Sequence, residues 1–238
     1  MIGVISDVGK KRMINEDCAD YLISPNYELY IVADGMGGHN AGEVASKIAV
    51  DVIKEYIKEN WNNYSDGILL KDAILKANKK VLEYSSNSVE LNGMGTTVTA
   101  CLVLGGYTYI ANVGDSACFI LEDEKLVKIT KDHSLVQELL DSGSITEEEA
   151  MNHPRKNVIT RAVGAYEVLE VDIFKLPDRK GIKFLICSDG LLNEVSKEEI
   201  TNVLISYNNE EAAKQLVILA NEREGRDNIT VLVFGGEN

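Results

Sequence analysis

A chain of 238 residues, 45% of them hydrophobic, can bury a sizeable core and is expected to fold as one domain over 1–238. Its formal net charge of −14 argues against a nucleic-acid or acidic-membrane surface, because phosphate binding draws on clustered Lys and Arg. Cys101, Cys118 and Cys187 sit in apolar runs, as reduced core thiols do, and no leader-like N-terminus or bilayer-length apolar run is present, so a cytoplasmic protein is expected.

The apolar run Leu29 to Ala33 reads as a buried strand and ends in Asp34-Gly35-Met36-Gly37-Gly38-His39, which reads as a turn. From Val44 to Ile57 apolar residues recur at three and four, the stripe of a core-facing helix, and Ala73, Ile74, Ala77, Val81 and Tyr84 form a second. These two helices are expected to pack together on one face of a sheet. β-Branched and aromatic residues then dominate: Thr97 to Leu104, a Gly105-Gly106 turn, Tyr107 to Val113, Cys118 to Leu121 and Leu126 to Ile129, which predicts antiparallel hairpins.

Residues 133–161 break the pattern with a short helical piece at Leu135 to Leu140, an acidic Glu147-Glu148-Glu149 and a His153-Pro154 turn, and read as a surface excursion. Strand texture returns at Val168 to Leu176 and Ile182 to Cys187. Two helices follow, one opened by the capping box Ser196 to Glu199 and one from Glu210 to Glu224, before a last strand, Ile229 to Phe234. This order predicts an α+β fold of antiparallel sheets covered by helices rather than an alternating βαβ fold.

The chemistry concentrates in acidic turns. Asp34 and Asp189 terminate apolar strands and Asp227 precedes one, so the three carboxylates can converge on one sheet edge as oxygen ligands for Mg²⁺ or Mn²⁺. Gly35 and Gly190 are read as leaving room for an ion beside the backbone. A carboxylate using both oxygens bridges two ions roughly 3.5–4 Å apart, which activates a shared water for in-line displacement at phosphorus and would make Asp34 the bridge. Single Asp-Gly pairs are more often plain turns, and it is the set beside buried runs that favours a metal site. Arg12 is either a fork for a phosphoryl group or a solvated surface residue. His39 is either a general acid or a helix-start histidine ahead of Ala41, and His133 and His153 have weaker claims. No Cys is followed six positions later by Arg, no Gly-Lys-Ser/Thr loop exists, and zinc-type Cys or His spacings are missing.

In family order across nearly the whole chain, Ser6-Asp7-Val8-Gly9 through Arg12 to Asn15-Glu16-Asp17, Asp34 to His39, Gly95-Thr96-Thr97, Asn112 to Ser116, Asp132-His133-Ser134, Ile159-Thr160-Arg161, Ser188 to Leu191 and Gly225 to Thr230 resemble the metal-dependent Ser/Thr protein phosphatases of type 2C, the PPM class, in compact bacterial form. The resemblance implies a four-layer αββα sandwich of two antiparallel β-sheets flanked by helix pairs. It implies hydrolysis of phosphoserine and phosphothreonine by a hydroxide bridging two Mn²⁺ or Mg²⁺ ions. Asp34, Asp189 and Asp227 would hold the first ion, and Asp34 with the Gly35 carbonyl the second. Asp17 would act through metal-bound water, Glu16 would stand at a position that ligates in some members, and Asp115 with Asp189 would bind a weaker third ion. Arg12 would hold the substrate phosphate, His39 would serve as general acid, and 133–161 would be the flap. A cognate Ser/Thr protein kinase, phosphoprotein substrates and a monomeric state are expected. One departure is Ala117, where the family commonly has Arg after Gly-Asp-Ser. A catalytically inactive phosphoprotein-binding module and a small-molecule phosphomonoesterase are the competing functions, and the intact carboxylate set discriminates against the first.

Overall fold

The computed structural model describes residues 1–37, 41–64, 66–86, 89–151, 153–177 and 181–236. Strands β1 (Gly3–Asp7), β2 (Asp17–Ile23) and β3 (Tyr27–Met36) precede helices α1 (Ala41–Asn60) and α2 (Ile68–Ser85). Then come β4 (Gly95–Thr96), β5 (Val98–Leu104), β6 (Tyr107–Val113), β7 (Ala117–Glu122) and β8 (Lys125–Lys128). Short helices α3 (Leu135–Asp141) and α4 (Glu147–Met151) lie in the excursion, followed by β9 (Asp172–Pro177), β10 (Lys183–Cys187), α5 (Asp189–Leu192), α6 (Lys197–Ser206), α7 (Asn209–Arg223) and β11 (Ile229–Gly235).

One sheet runs β1-β11-β10-β7-β8 and the other β2-β3-β5-β6-β9, with β4 added to β3; every pairing is antiparallel. The Leu29 to Ala33 run is unbroken because both faces of β3 are covered. Leu29, Ile31 and Ala33 pack against Ala45, Ile53 and Ile74 of the first helix pair, while Tyr30 and Val32 join Cys101, Ile186 and Leu232 between the sheets. In β11 the same alternation sends Val231 and Val233 toward Leu204 and Leu216 of the second helix pair. Three apolar layers therefore separate four layers of structure, the sandwich the sequence implied.

Several local expectations need correction. Gly3 to Asp7 and Asp17 to Ile23 carried no strand expectation, yet they form β1 and β2. Both are sheet edges, exposed enough that no continuous apolar run marks them. Asp34 does not end its strand: β3 continues to Met36, held by Gly35 and Met36 opposite Thr96 and Gly95. The first strand after the excursion starts at Asp172 rather than Val168, which is 86% exposed. The Glu147 to Glu149 run is helical: Thr146 Oγ1 accepts from the Glu149 N–H at 3.3 Å, Glu149 Oε2 accepts from the Thr146 N–H at 2.8 Å, and the first-turn carboxylates face the positive end of the helix. Ala117 is fully buried opposite Cys187 in the β7–β10 ladder, so the departure from Arg leaves the strand packed. Among the described residues no helix is long and apolar enough to cross a membrane.

Candidate active site

At one end of the sandwich, Asp34, Asp115, Asp189, Asp227 and Glu16 line a cavity of about 240 Å³ together with Arg12 and, from the excursion, Asn157 and Ile159. Asp34 is fixed by its backbone: its N–H donates to Thr97 Oγ1 at 2.9 Å, and its carbonyl accepts from the Thr97 N–H at 2.8 Å and Thr96 Oγ1 at 2.9 Å. Asp17 sits opposite it in the β2–β3 ladder. Asp189 opens α5 two residues past the end of β10, Asp227 stands two residues before β11, and Asp115 occupies the β6–β7 turn.

The walls of this cavity are braced by polar side chains that the sequence reading left without a role. Asn228 Oδ1 accepts from the Glu16 N–H at 2.8 Å while its Nδ2 donates to the carbonyls of Val8 at 2.9 Å and Ile14 at 3.0 Å, tying the Arg12 loop to β11. Ser188 Oγ donates to Asp17 Oδ2 at 2.8 Å and accepts from the Thr230 N–H at 3.0 Å. Asn193 Nδ2 donates to Asp189 Oδ2 at 3.0 Å. Each side chain lies inside or beside an acidic motif, but its partners lie on distant segments, and local sequence carries no signal of them.

The electrostatics are those of carboxylates crowded together and partly withdrawn from water. Burial raises the pKa of Asp34 well above the usual carboxylate range, and Asp17, Asp189, Asp115 and Asp227 raise it further. Asp115 is pushed up to about 7 by burial and then by Asp189 and Asp132. Asp17 reaches about 6, burial outweighing the hydrogen bonds from Thr230 and Ser188. Asp189 is raised by burial and Asp227, and Glu16 by burial against the pull of Arg12. A cavity that disfavours its own negative charge to this degree is a cation site or a proton-transfer site. The donor set is all oxygen, as hard divalent cations prefer, and Asp17 Oδ1 is buried with no hydrogen-bond partner, so it is an acceptor still available. These residues fit divalent ions, although among the described residues no three His, Cys, Asp or Glu side chains are already drawn into a coordination shell.

Two glycines have a packing reason as well as the one expected. A Cβ on Gly35 would lie 2.1 Å from the Gly42 carbonyl oxygen and 2.5 Å from that of Glu16, and one on Gly190 would lie 2.0 Å from the Asn228 oxygen. They let backbone segments approach each other closely. Arg12 reaches the cavity and pairs with Asp227 at 2.9 Å while staying half exposed. His39 lies outside the described residues, two positions before α1 begins. His153 forms the expected turn, its Nδ1 accepting from the Arg155 N–H at 3.2 Å. A larger cavity, about 410 Å³, lies at the opposite end of the same strands and is lined mostly by apolar groups such as Tyr30, Phe184 and Phe234.

Residues 9–222 match the family described as protein phosphatase 2C. The chain belongs to that family. This protein phosphatase 2C is 42% identical over 233 residues to the serine/threonine phosphatase stp of Listeria monocytogenes, covering 96% of this chain and 92% of that protein. Its fold superposes on the crystal structure of the Mycobacterium tuberculosis serine/threonine phosphatase PstP/Ppp with a TM-score of 0.89 at 36% identity, covering 100% of this chain and 99% of that one. A structure of the PstP catalytic domain in complex with two manganese ions gives 0.86 at 35% identity, covering 100% and 98%. The chain is a serine/threonine protein phosphatase, a metal-dependent hydrolase that acts on phosphoproteins.

Proposed function

We propose that the cavity beneath Asp34 is where this phosphatase hydrolyses phosphoserine and phosphothreonine, with Mn²⁺ or Mg²⁺ as cofactor. The observation that carries the assignment is the convergence of five carboxylates from separate segments on one cavity, with burial raising the pKa of Asp34, Asp115, Asp189 and Glu16. Asp34, Asp189 and Asp227 would hold a first ion, Asp34 and the Gly35 carbonyl a second, and Asp115 with Asp189 a weaker third; Asp17 would act through metal-bound water, with Glu16 beside it in the cavity wall. When bound, the ions supply Lewis-acid activation of water and neutralise charge on the phosphoryl group.

Arg12 is placed to exchange Asp227 for the substrate phosphate, which matches its planar fork. His39 delivers a proton to the departing Ser or Thr Oγ as the P–O bond breaks, so that water is consumed and free alcohol and inorganic phosphate leave. Residues 1–238 act as one domain, because β1 and β11, from opposite ends of the chain, pair in one sheet, and 133–161 form a flap that sends Asn157 and Ile159 into the cavity. The free, mostly buried cysteines and the charge of −14 support a cytoplasmic monomer without nucleic-acid or membrane partners, acting opposite a cognate Ser/Thr kinase.

The test is turnover of a phosphothreonine peptide by purified protein with Mn²⁺ and with chelator, beside a small phosphomonoester as comparison. Absence of metal-dependent turnover on the peptide would remove the proposal. Arg12→Ala should raise KM. His39→Ala should lower kcat by about 10²–10⁴-fold while calorimetric Mn²⁺ binding persists, and loss of Mn²⁺ in that variant would contradict a proton-donor role.

A further inference from the structure

We propose that His133 is a positioning residue for the phosphatase reaction, gripping the Gly114 peptide so that the neighbouring Asp115 and the stem of the flap are held as one unit. The proposal deepens the site assigned above and rests on Asp115 serving an ion there.

His133 is 6% exposed and grips Gly114 from both sides. The Gly114 N–H donates to His133 Nδ1 at 3.1 Å, and the His133 N–H donates to the Gly114 carbonyl at 2.9 Å. Asn112 Nδ2 donates to the same carbonyl at 3.1 Å. Gly114 has φ +107°, and a Cβ there would lie 2.5 Å from Thr97 Cγ2, so the residue is a glycine in an uncommon conformation, pinned at three points. Asp115 follows directly, facing Asp189 closely enough for their charges to interact.

The other side of the imidazole is equally specified. Because Nδ1 accepts, the ring proton sits on Nε2, which lies 3.2 Å from Asp172 Oδ2 and donates to it. Arg161 Nη1, 3.3 Å from Nε2, is also a donor, so the neutral imidazole and the Arg161 guanidinium share Asp172, with Arg161 donating to Oδ1 at 2.9 Å. Burial lowers the His133 pKa, which favours the neutral ring that this pattern needs. The backbone of the same residue closes the flap stem: the His133 carbonyl accepts from the Thr160 N–H at 2.8 Å, and the Leu135 N–H donates to the Val158 carbonyl at 2.8 Å. Ile159, bridged to Ser134 between those bonds, lines the cavity. One buried ring thus links a candidate ligand loop, the flap stem and β9. A histidine that merely filled core space would have no reason to favour one ring nitrogen over the other.

That asymmetry is the test. Asn places its side-chain oxygen where Nδ1 lies, and Gln places its amide where Nε2 lies. His133→Asn should keep the acceptor for Gly114, whereas His133→Gln should keep the Asp172 contact and lose Gly114. In metal-free protein, hydrogen exchange of segment 114–116 should be at least about tenfold faster in the Gln variant and near the parent rate in the Asn variant. The weakest Mn²⁺ step seen by calorimetry should weaken by about 10–100-fold in Gln and not in Asn, as loss of a ligand-orienting contact does. Equal exchange in the two variants overturns the positioning role. Asp115→Asn separates the two claims: if that variant binds Mn²⁺ like the parent, the ion assignment at Asp115 fails while the exchange result still decides His133. Should the Gln variant not fold, ¹⁵N spectra of the unmodified protein decide: a His133 ring protonated at Nδ1 cannot accept from Gly114 and refutes the proposal.

Discussion

Asp17→Asn is expected to remove a pH-dependent penalty from the folding of the metal-free protein. Asp17 is 9% exposed, and burial moves its pKa from 3.8 to about 6. In the unfolded chain the carboxyl loses its proton near the lower value, and in the folded chain near the higher. Below about pH 4 both states are protonated and there is no penalty; as pH rises through that window the folded state is progressively disfavoured, and above it the full difference persists. At ~1.4 kcal/mol per pH unit the gap amounts to about 3 kcal/mol, or about 6–12 °C in Tm for a chain of this length. The Asn amide keeps the acceptor for Ser188 but leaves an N–H where Asp17 Oδ1 has no partner, which costs about 1–3 kcal/mol at every pH. The slope, not the absolute Tm, is therefore diagnostic. Calorimetric melts in chelator from pH 4 to 7.5 should show the parent losing Tm relative to the variant by roughly 6–12 °C across the range. Parallel curves would refute the reasoning. Adding Mn²⁺ at pH 7.5 should raise the parent Tm more than the variant Tm.

Asp34→Asn should reduce Mn²⁺-dependent turnover of a phosphothreonine peptide by at least about 10³-fold, and should raise the Tm of the metal-free protein at pH 7.5, because a charge disfavoured by desolvation and by four neighbouring carboxylates is removed. Gly35→Ala should destabilise by about 3 kcal/mol or more in urea titrations, since its Cβ meets two backbone oxygens within 2.5 Å. Ser196→Ala removes the capping box of α6 and should cost about 1 kcal/mol with kcat/KM unchanged, a control for stability effects remote from the site.

The fold was legible where one element buries one face. The stripes from Val44 and Ala73 became α1 and α2, the Gly105-Gly106 pair joined β5 to β6 with Leu104 opposite Tyr107, and the Ser196 capping box opened α6. It was illegible at β1 and β2, whose pairing on one side only leaves too little burial to pattern the sequence. The strand beyond Asp34 was missed because a Gly-rich segment carries no apolar signal, and its pairing with β4 comes from Thr96, some sixty residues on.

Of the site, the acidic motifs and their residue types were visible in sequence, as was the family resemblance that the fold and the relatives bear out. Local periodicity records which face of an element is buried, and short motifs record what chemistry a turn can carry. Neither records which turns meet. That was decided by the registers of the two sheets, which place Asp17 opposite Asp34 and bring Asp115, Asp189 and Asp227 to the same end of the sandwich. The grip of His133 on Gly114 belongs to the same class: its two ring nitrogens acquire different partners only when β6, β9 and the flap stem are packed together.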